Sequence, residues 1–513
     1  MVDLGRDMFV PGHARQLLLV CMISASLLVS AHAEAPEIAP ASMPRIATID
    51  QRFQSYNVEM VEVTGGNFWK PYAEKPRTPL VDKPARTAPD LYAYRPPIDL
   101  TNVRLRRLAA ALAPAYLRVS GTWANATYFP DSDDAPPAPP AGFDGILTHR
   151  QWSGVIDFAR VVGARIVTSF ATSQGTREAT GAWTPEQARG LLAYTRSLGG
   201  SIAAAEFMNE PNLVSIGGKT KGDDAAEYGR DFRTFLTLMK QTAPETIILG
   251  HATIGTTATV SDLFAAAGPG IDVVSYHYYG ALSARCFGTQ TREAAASDQW
   301  LSRTDQTFAF YGAIRDRLAP GKPIWLTETG EAACGGNRWA STFLDTFRYL
   351  DQLGRLAKAG VQVVMHNTLA ASDYGLLDER TLTPRPNYWG ALLWRRLMGT
   401  TVLDPGMPVR AGLHVYAHCQ PATPGGVTLL VINTDLSSSH AFTVPTASER
   451  YTLDAADFQD AVVRLNGHSL ALEADDQLPH IDGDPTDAGV VKFAPATTTF
   501  LTIPTAGNNA CRH

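Results

Sequence analysis

The sequence predicts an α/β protein of two domains, a (β/α)8 TIM barrel followed by an accessory C-terminal β-sandwich. Between residues 56 and 400, short apolar segments alternate with helix-like segments, as barrel strands and helices do. Past residue 400, strand-like runs are separated by turn residues without a helical period, which is typical of a sandwich. The 513 residues also exceed what one hydrophobic core usually supports. A doubly wound open sheet is the alternative for the first domain.

The N-terminus predicts export. Arg15 precedes an apolar run at 17–30, which ends in the small-residue sequence A-H-A. A positive flank, a short apolar core and an A-x-A exit are typical of a signal peptide, so we expect residues 1–33 to be removed. No later run has membrane length, and we expect a secreted or periplasmic monomer without membrane contact after cleavage.

Eight segments predict the barrel strands. They are short, apolar and rich in β-branched residues, as strands covered on both faces should be. The segments are 56–63, 115–120, 164–170, 201–208, 245–250, 272–278, 323–328 and 361–366. The predicted domains are therefore a lead-in at 34–55, the barrel at 56–400 and the sandwich at 401–513.

Helix-like segments lie between these strands, and the clearest is 184–199. Thr184 is its predicted N-cap, Pro185 its first residue and Gln187 the partner in a capping box, while Gly199 ends it. The other predicted helices are 99–113, 151–162, 223–242, 300–318 and 338–358.

Charge and cysteine content narrow the range of functions. The net charge is −6 and no basic excess is present, so we expect no nucleic-acid partner. Four cysteines remain after signal removal, and an oxidising compartment permits two bridges in three possible connectivities. These are Cys286, Cys334, Cys419 and Cys511. No His/Cys cluster has metal-ligand spacing, so we expect no metal and no cofactor.

Two glutamates end predicted strands, where a barrel places its chemistry. Glu210 follows the fourth strand, and Glu328 ends the seventh. Retaining hydrolysis of a glycoside needs two carboxyl groups about 5–5.5 Å apart, one as acid and one as nucleophile. Asn209 precedes Glu210 and can hydrogen-bond a sugar 2-hydroxyl, and Pro211 stiffens the turn. The pair therefore predicts a retaining glycosidase.

Several motifs together resemble the heparanase-like enzymes of glycoside hydrolase family 79. The matching strings lie in both predicted domains and extend along nearly all of the mature chain. They are YLRVSGT (116–122), EFMNEPN (206–212), SYHYYG (275–280), WLTETGEAACGG (325–336), VVMHNTLAASDYGLLDE (363–379), PNYWGALLWRRLMGTTVL (386–403), VYAHC (415–419), VRLNG (463–467) and DDQLP (475–479). The resemblance implies that a strand from the 34–55 lead-in joins the sandwich.

The resemblance also implies roles for individual residues. Glu210 corresponds to the proton donor and Glu328 to the nucleophile, while Asn209 and Glu59 correspond to residues that bind the glucuronate ring. The family has Asp at the position of Glu59.

A second group of residues would bind the sugar carboxylate or support the catalytic pair. The resemblance implies that Gly335 and Gly336 offer backbone N–H groups to the carboxylate and that Tyr374 adds its hydroxyl. His277, Tyr278 and Tyr279 follow the sixth strand beside the site. We expect His277 and Tyr278 to contact substrate, and a tyrosine hydroxyl there can hydrogen-bond Glu328. Three tryptophans on the same side of the barrel are candidates for further subsites: Trp123, Trp183 and Trp339.

The resemblance assigns the disulfides as well. It implies a bridge between Cys419 and Cys511, which leaves Cys286 and Cys334 for the second. The latter two follow the predicted sixth and seventh strands, which are neighbours in a barrel.

Two departures from the family bear on the substrate. A short Pro-rich loop at 130–142 stands where the mammalian enzymes carry a long excised segment, so activity as one chain is expected. Ile216 stands where a sulfate-binding Lys is expected, which argues against tight recognition of highly sulfated heparin. Four basic residues remain as substitutes or as solvated surface: Lys219, Lys221, Arg285 and Arg338.

The sequence therefore predicts a retaining β-glucuronidase of the heparanase type, whose partner is a glucuronate-containing oligo- or polysaccharide. An enzyme that removes a terminal glucuronate is one alternative. A catalytically idle carbohydrate-binding protein on the same scaffold is another. A neutral-sugar glycosidase is the third, and the match at Gly335, Gly336 and Tyr374 disfavours it.

Overall fold

The computed structural model describes residues 35–72, 91–213 and 225–512. The predicted signal peptide lies outside these residues. The strands are β1 Arg45–Thr48, β2 Gln54–Glu59, β3 Gly66–Trp69, β4 Tyr92–Arg95, β5 Ala115–Ser120, β6 Thr127–Tyr128, β7 Gly145–Ile146, β8 Ala164–Thr168, β9 Ile202–Glu206, β10 Ile247–Ile254, β11 Val273–Tyr279, β12 Ile324–Gly330, β13 Val363–His366, β14 Thr401–Leu403, β15 Leu413–Cys419, β16 Val427–Asn433, β17 His440–Val444, β18 Ser448–Asp454, β19 Arg464–Leu465, β20 His468–Ser469, β21 Asp484–Thr486, β22 Gly489–Phe493 and β23 Thr497–Ile503.

The α-helices lie mostly between the barrel strands. They are α1 Met60–Thr64, α2 Val103–Ala110, α3 His149–Val161, α4 Glu186–Ser197, α5 Ala225–Thr242, α6 Ala258–Ala267, α7 Asp298–Leu301, α8 Arg303–Leu318, α9 Phe343–Lys358 and α10 Pro386–Leu397. No helix of the described ranges is long and apolar enough to cross a membrane.

Eight parallel strands close into a barrel, in the circular order β2, β5, β8, β9, β10, β11, β12 and β13. This confirms the predicted fold class. Each of the eight predicted segments overlaps one of these strands, and β5 has the predicted bounds. The apolar runs are explained by burial on both faces, since β5, β12 and β13 are buried along their whole length.

The first barrel strand differs from the prediction of residues 56–63. It starts earlier, at Gln54, and ends at Glu59, where helix α1 begins. The Glu59 N–H donates to Glu62 Oε1 at 2.9 Å and so caps the helix. Met60, Val61 and Val63 are buried in the helix, and a short apolar run of this kind does not by itself separate strand from helix.

The predicted capping box of the 184–199 helix does not form. Helix α4 begins at Glu186, and the Thr184 hydroxyl donates instead to the Thr176 carbonyl. Gln187 Oε1 accepts from the Phe129 N–H, which belongs to another loop. Long-range partners therefore replace the local bonds that the sequence pattern predicted.

The C-terminal domain has two antiparallel layers. Nine strands form one sheet, ordered β1, β14, β15, β16, β23, β18, β19 and β20, with β21 paired to β18. The antiparallel pair of β17 and β22 is the second layer, and Phe442 and Phe493 pack against the sheet through a shared apolar core. Strand β1 pairs with β14, so a strand from before the barrel completes the sheet.

Helix α9 lies between the barrel and the large sheet, and nearly all its residues are buried. Gly354 permits close approach, since a Cβ there would lie 2.4 Å from the Tyr416 ring. Two disulfides connect other segments: Cys286–Cys334, with Cα atoms 6.4 Å apart, and Cys419–Cys511, with Cα atoms 5.3 Å apart. The second attaches the end of the chain to β15.

Candidate active site

The two glutamates singled out in the sequence converge at the carboxyl end of the barrel. Glu328 lies within β12, and Glu210 lies in the turn after β9. Glu210 has a left-handed backbone with φ of 45°, and its N–H donates to the Ala252 carbonyl at 3.1 Å. A non-glycine residue at positive φ is a strained conformation, which the loop stabilises with this bond.

The carboxyl groups of Glu210 and Glu328 are close together. One oxygen of each, together with a ring nitrogen of His277, lies within 4.8 Å of the others. The His277 Nδ1 atom is 3.0 Å from Glu210 Oε1 and 3.6 Å from Glu328 Oε2. Both glutamates are largely buried, at 7% and 6% exposure.

Arg118, on β5, organises the site and was not assigned a role from the sequence. Its guanidinium donates to Glu206 Oε2 and to Glu328 Oε2, the latter at 2.9 Å, and also to Asn209 Oδ1 at 2.8 Å. Arg118 and Glu206 are fully buried. A charged residue inside an apolar strand requires a buried partner. The single charges in AYLRVS and SIAAAEF were therefore the sequence signal for this ion pair.

The contacts of His277 define its tautomer. Its Nε2 atom faces Arg118 Nη2 at 3.2 Å, and because a guanidinium can only donate, Nε2 is the acceptor. Its Nδ1–H therefore donates to Glu210. Burial, and secondarily the charge of Arg118, lower the pKa of His277 well below its ordinary value. His277 is thus a neutral donor that positions Glu210.

The two carboxyl groups stand in unequal surroundings. Burial, followed by the charge of Glu328, raises the pKa of Glu210 well above its ordinary value. Burial also raises the pKa of Glu328, but Arg118 and a hydrogen bond from Tyr279 oppose this. Glu210 therefore holds a proton more tightly than Glu328.

Tyr279, rather than Tyr278, reaches the site. The Tyr279 hydroxyl donates to Glu328 Oε1 at 2.8 Å. Tyr278 packs on the outer side of β11, where Arg348 and Arg303 of the surrounding helices interact with it. The prediction that Tyr278 contacts substrate is wrong, because alternate residues of a strand face opposite sides. Because His277 faces into the barrel, Tyr279, two residues later on the same strand, faces inward as well.

Three further polar residues line the side of the site next to Glu328. Asn367 Nδ2 donates to the hydroxyl of Tyr279 at 3.0 Å and to that of Tyr374 at 3.3 Å. Burial, and then the charge of Glu328, raise the pKa of Glu59 well above its ordinary value. One oxygen of Glu59 and the Asn209 Nδ2 atom are buried without a hydrogen-bond partner among the described residues. Such atoms are available to bind a polar ligand.

The two glycines predicted to bind the sugar carboxylate differ in the hydrogen bonds of their N–H groups. Gly335 and Gly336 have φ of 83° and 84° and lie against Ser372 and Tyr374. The Gly336 N–H donates to the Ala332 carbonyl at 3.1 Å, so a sugar carboxylate would have to compete with this bond. The Gly335 N–H has no acceptor within the described ranges and remains a candidate donor.

The candidate sulfate-binding residues are not a free cationic patch. Arg285 is buried, donates to Asp373 at 2.6 Å and stacks on Tyr72. Arg338 stacks on the same ring. Ile216, Lys219 and Lys221 lie outside the described residues. Trp183 is also excluded as a subsite residue, because it is buried and donates to the Ala171 carbonyl.

The spacing of Glu210, His277 and Glu328 would also permit a metal ion. Two features oppose one. The Arg118 guanidinium is bonded to Glu328, and the Nδ1 atom that faces the glutamates carries a proton. A cation there would be repelled by the first and would have to displace the second.

Comparisons with known proteins agree with this geometry. Residues 97–354 match the family model described as glycosyl hydrolase family 79, N-terminal domain. Heparanase-like protein 1 of Arabidopsis thaliana is 30% identical over 368 residues, covering 68% of this chain and 66% of that protein. Heparanase of Mus musculus is 28% identical over 485 residues, covering 80% and 88%. Baicalin-β-D-glucuronidase of Scutellaria baicalensis is 25% identical over 458 residues, covering 79% and 84%.

The fold has counterparts among solved structures. A 4-O-α-L-rhamnosyl-β-D-glucuronidase from Fusarium oxysporum superposes with a TM-score of 0.64 at 15% identity, covering 92% of this chain and 99% of that one. At this identity the likeness concerns the fold, a TIM barrel with an attached β-sandwich.

Proposed function

The chain belongs to glycoside hydrolase family 79, and from this membership we propose that it is a retaining β-glucuronidase of the heparanase type. Its substrates would be glucuronate-containing glycans such as heparan sulfate. The observation that carries the proposal is the buried pair Glu210 and Glu328, held within 4.8 Å in unequal electrostatic surroundings. Retaining enzymes keep their carboxyl groups about 5–5.5 Å apart, whereas inverting enzymes need about 6.5–9.5 Å for a water.

Glu210 is the general acid in this proposal. Its raised pKa keeps it protonated while Glu328 is ionised. The His277 Nδ1–H occupies Oε1, so the acidic proton resides on Oε2. That proton passes to the glycosidic oxygen as the bond to the anomeric carbon breaks.

Glu328 is the nucleophile. One of its oxygens attacks the anomeric carbon as the leaving group departs, which gives a covalent glycosyl-enzyme. Arg118 and Tyr279 donate to its two oxygens and hold it ionised before attack. Glu210, now deprotonated, then takes a proton from water, and the hydroxide releases the sugar and restores Glu328.

The polar residues beside Glu328 support a glucuronide as the substrate. Burial, and then the charge of Glu328, raise the pKa of Glu59, which favours the neutral form that can donate to a sugar oxygen without repelling a carboxylate. Tyr374 lies beside Asn367, and Gly335 packs against Ser372 in the adjoining loop. The Tyr374 hydroxyl and the Gly335 N–H would supply neutral donors. The similarity to a plant β-glucuronidase points to the same substrate class.

Export is part of the proposal. The two disulfides, Cys286–Cys334 and Cys419–Cys511, are of the kind that persist in oxidising compartments. We therefore propose that the enzyme works outside the cytoplasm as a single chain.

The test is incubation of purified protein with nitrophenyl β-glucuronide and, separately, with heparan sulfate. Colour release and polymer length are followed, with Glu328→Gln as the control for contaminating activity. Shortening of heparan sulfate to oligosaccharides supports internal cleavage, whereas colour release alone supports removal of terminal glucuronate. Wild-type protein no more active than Glu328→Gln on both would refute the proposal.

A further inference from the structure

A buried ion pair between Arg285 and Asp373 adjoins the loop that carries Gly335. The Arg285 Nη2 atom donates to Asp373 Oδ2 at 2.6 Å, and the two side chains are only 6% and 7% exposed. An added Cβ at Gly335 would lie 3.2 Å from Arg285 Nη1. Because the desolvation of two charges offsets much of their attraction, a buried ion pair is weak evidence for a role in stability. Its place beside the site points to a role in function.

The pair joins four loops at the mouth of the barrel. Arg285, in the loop after β11, also donates to the carbonyls of Lys70, which follows β3, and Gly336, which follows β12. Asp373, in the loop after β13, accepts from the Tyr72 N–H at 3.1 Å. Loss of either charge would therefore remove bonds to several segments at once, and networks of this kind are rigid only when every member is present.

Gly335 is held on both sides by these loops. Its carbonyl accepts from the Asp373 N–H at 3.2 Å and from the Ser372 hydroxyl at 3.0 Å. The preceding residue, Cys334, is bonded to Cys286, which directly follows the ion-paired arginine. Cys334 and Gly335 have φ of 65° and 83°, a left-handed backbone that surrounding contacts must maintain at the cysteine. The disulfide on one side and the bonds to the carbonyl on the other thus fix the direction of the Gly335 N–H.

We propose that Arg285 and Asp373 are positioning residues that set the preference for glucuronides by fixing the Gly335 N–H. This inference rests on the proposed β-glucuronidase activity and assigns its specificity to a pair that acts through the loop instead of contacting the sugar. A donor that is already in place pays little ordering entropy when a carboxylate binds, and its charge-assisted bond is about twice as strong as a neutral one. A hydroxymethyl group gains less from the same donor, so a loosened loop should slow glucuronides selectively.

Two single variants separate positioning from a direct effect of charge. Arg285→Met leaves an uncompensated negative charge beside the loop, whereas Asp373→Ala leaves an uncompensated positive one. Direct attraction or repulsion of the substrate carboxylate would change the glucuronide-to-glucoside ratio of kcat/KM in opposite directions in the two variants. Positioning through Gly335 predicts that both variants lower this ratio at least about tenfold, mainly through a higher KM for the glucuronide.

A second buried ion pair provides the matched control. Arg177 donates to Asp231 at 2.8 Å, and their side chains are 4% and 3% exposed. Arg177 lies in the loop after β8, which is directly opposite β12 in the closed barrel. Arg177→Met should lower the melting temperature as Arg285→Met does but keep the wild-type ratio. Arg285→Lys, which keeps a cation with fewer donors, should give a ratio between those of wild type and Arg285→Met.

Nitrophenyl β-glucuronide and nitrophenyl β-glucoside are the two substrates, and circular dichroism establishes that the variants fold. The inference is overturned if Arg285→Met and Arg285→Lys keep the wild-type ratio, if Arg285→Met and Asp373→Ala change it in opposite directions, or if Arg177→Met lowers it equally. Wild type that cleaves neither sugar, or both equally well, overturns the glucuronidase proposal. A wild-type preference for the glucuronide that persists in every variant overturns this inference alone.

Discussion

At the scale of single residues, one buried arginine links the components of the site. Arg118 contacts Glu206, Asn209, His277 and Glu328, so the base of the site is a connected polar network. Such networks are rigid when satisfied and costly when one member is removed. The protonation states of the proposed catalytic pair depend on this arrangement.

The two proposed catalytic glutamates should respond differently to substitution. Glu328→Gln removes the nucleophile and should lower kcat about a thousandfold or more on every substrate, with the fold intact. Glu210→Ala should slow substrates with poor leaving groups far more than nitrophenyl substrates, because good leaving groups need little protonation. Steady-state kinetics on a leaving-group series measures both. Equal losses across the series for Glu210→Ala would exclude it as the acid.

Arg118 should set the acidic limb of the pH profile. Activity requires ionised Glu328 and protonated Glu210, so kcat/KM rises through the pKa of the first and falls through that of the second. In Arg118→Met the pKa of Glu328 should increase, and the rising limb should move about one to three units toward alkaline pH. Arg118→Lys, which keeps a cation, should move it less. A lower rate with an unmoved limb would mean that Arg118 serves only the fold.

Tyr374 should contribute to the preference for glucuronides. Charge-assisted bonds to a carboxylate are roughly twice as strong as neutral ones, and neutral donors left unpaired by a hydroxymethyl group cost about 1–3 kcal/mol each. We expect β-glucuronides to react at least about a hundredfold faster than β-glucosides. Tyr374→Phe should reduce this ratio of kcat/KM values. Comparable kcat/KM for both sugars in wild type, or equal losses on both in the variant, would contradict this role.

At the scale of secondary structure, the ends of the barrel strands determine which side chains meet. Glu59 ends β2 and caps α1 through its backbone N–H. Gly121 follows β5 with φ of 92° and leaves room for the Glu59 carboxyl group. A side chain at Gly121 would occupy the position of that carboxyl group. Gly121 is thus part of the proposed binding site although it has no side chain.

Gly121→Ala should impair substrate binding without unfolding the protein. The added Cβ would displace Glu59, so KM for nitrophenyl β-glucuronide should increase at least about tenfold, with a smaller effect on the melting temperature. Gly181→Ala is the matched control, since Gly181 has φ of 82° but no atom within 4 Å of an added Cβ. Both glycines have a positive φ, so both variants carry backbone strain. Equal kinetics in the two variants would show that the Glu59 contact does not matter.

At the scale of the whole molecule, a charged cluster joins the barrel to the sandwich. His414 of β15 lies between Asp351 of α9, at 2.5 Å, and Asp298 of α7, at 2.8 Å. The Tyr416 hydroxyl also donates to Asp351, and Arg355 pairs with the same carboxylate. Both nitrogens of His414 face carboxylates, which requires a protonated ring.

The stability of the two-domain unit should therefore depend on pH through His414. Burial opposes the charge, but Asp351 and Asp298 raise the pKa of His414 above 6.5. A raised histidine pKa stabilises the folded state fully below the unfolded value and loses this contribution as pH rises through the folded value. The melting temperature of wild type minus that of His414→Gln should thus be larger at pH 5.5 than at pH 8.5.

Two controls accompany this measurement. Burial raises the pKa values of Glu62 and Glu331 to about 7, so ionisation of either group also destabilises the fold as pH rises. Both groups are present in wild type and in His414→Gln, and their effect therefore cancels in the difference between the two melting temperatures. His480→Gln is the control for loss of an imidazole at the protein surface. A pH-independent difference for His414→Gln would mean that the ring is neutral in the folded protein.

The sequence by itself determined the barrel, the sandwich and the two glutamates. Strands buried on both faces require continuous apolar runs, and a barrel places the ends of those runs at one mouth, so local composition was enough to position Glu210 and Glu328. The order of the barrel strands required no further information, because each right-handed crossover places a strand beside its predecessor.

The tertiary structure alone decided which side chains share the site and how their charges are balanced. Arg118, Tyr279 and Asn367 acquire their roles from partners far away in sequence. The capping box predicted at Thr184 does not form, because the Thr184 hydroxyl donates to the Thr176 carbonyl instead. The Gly336 N–H donates to the Ala332 carbonyl within its own loop. Hydrogen bonds and pKa values depend on distances of a few ångströms between segments, and residue order in the chain does not specify such distances before the chain has folded.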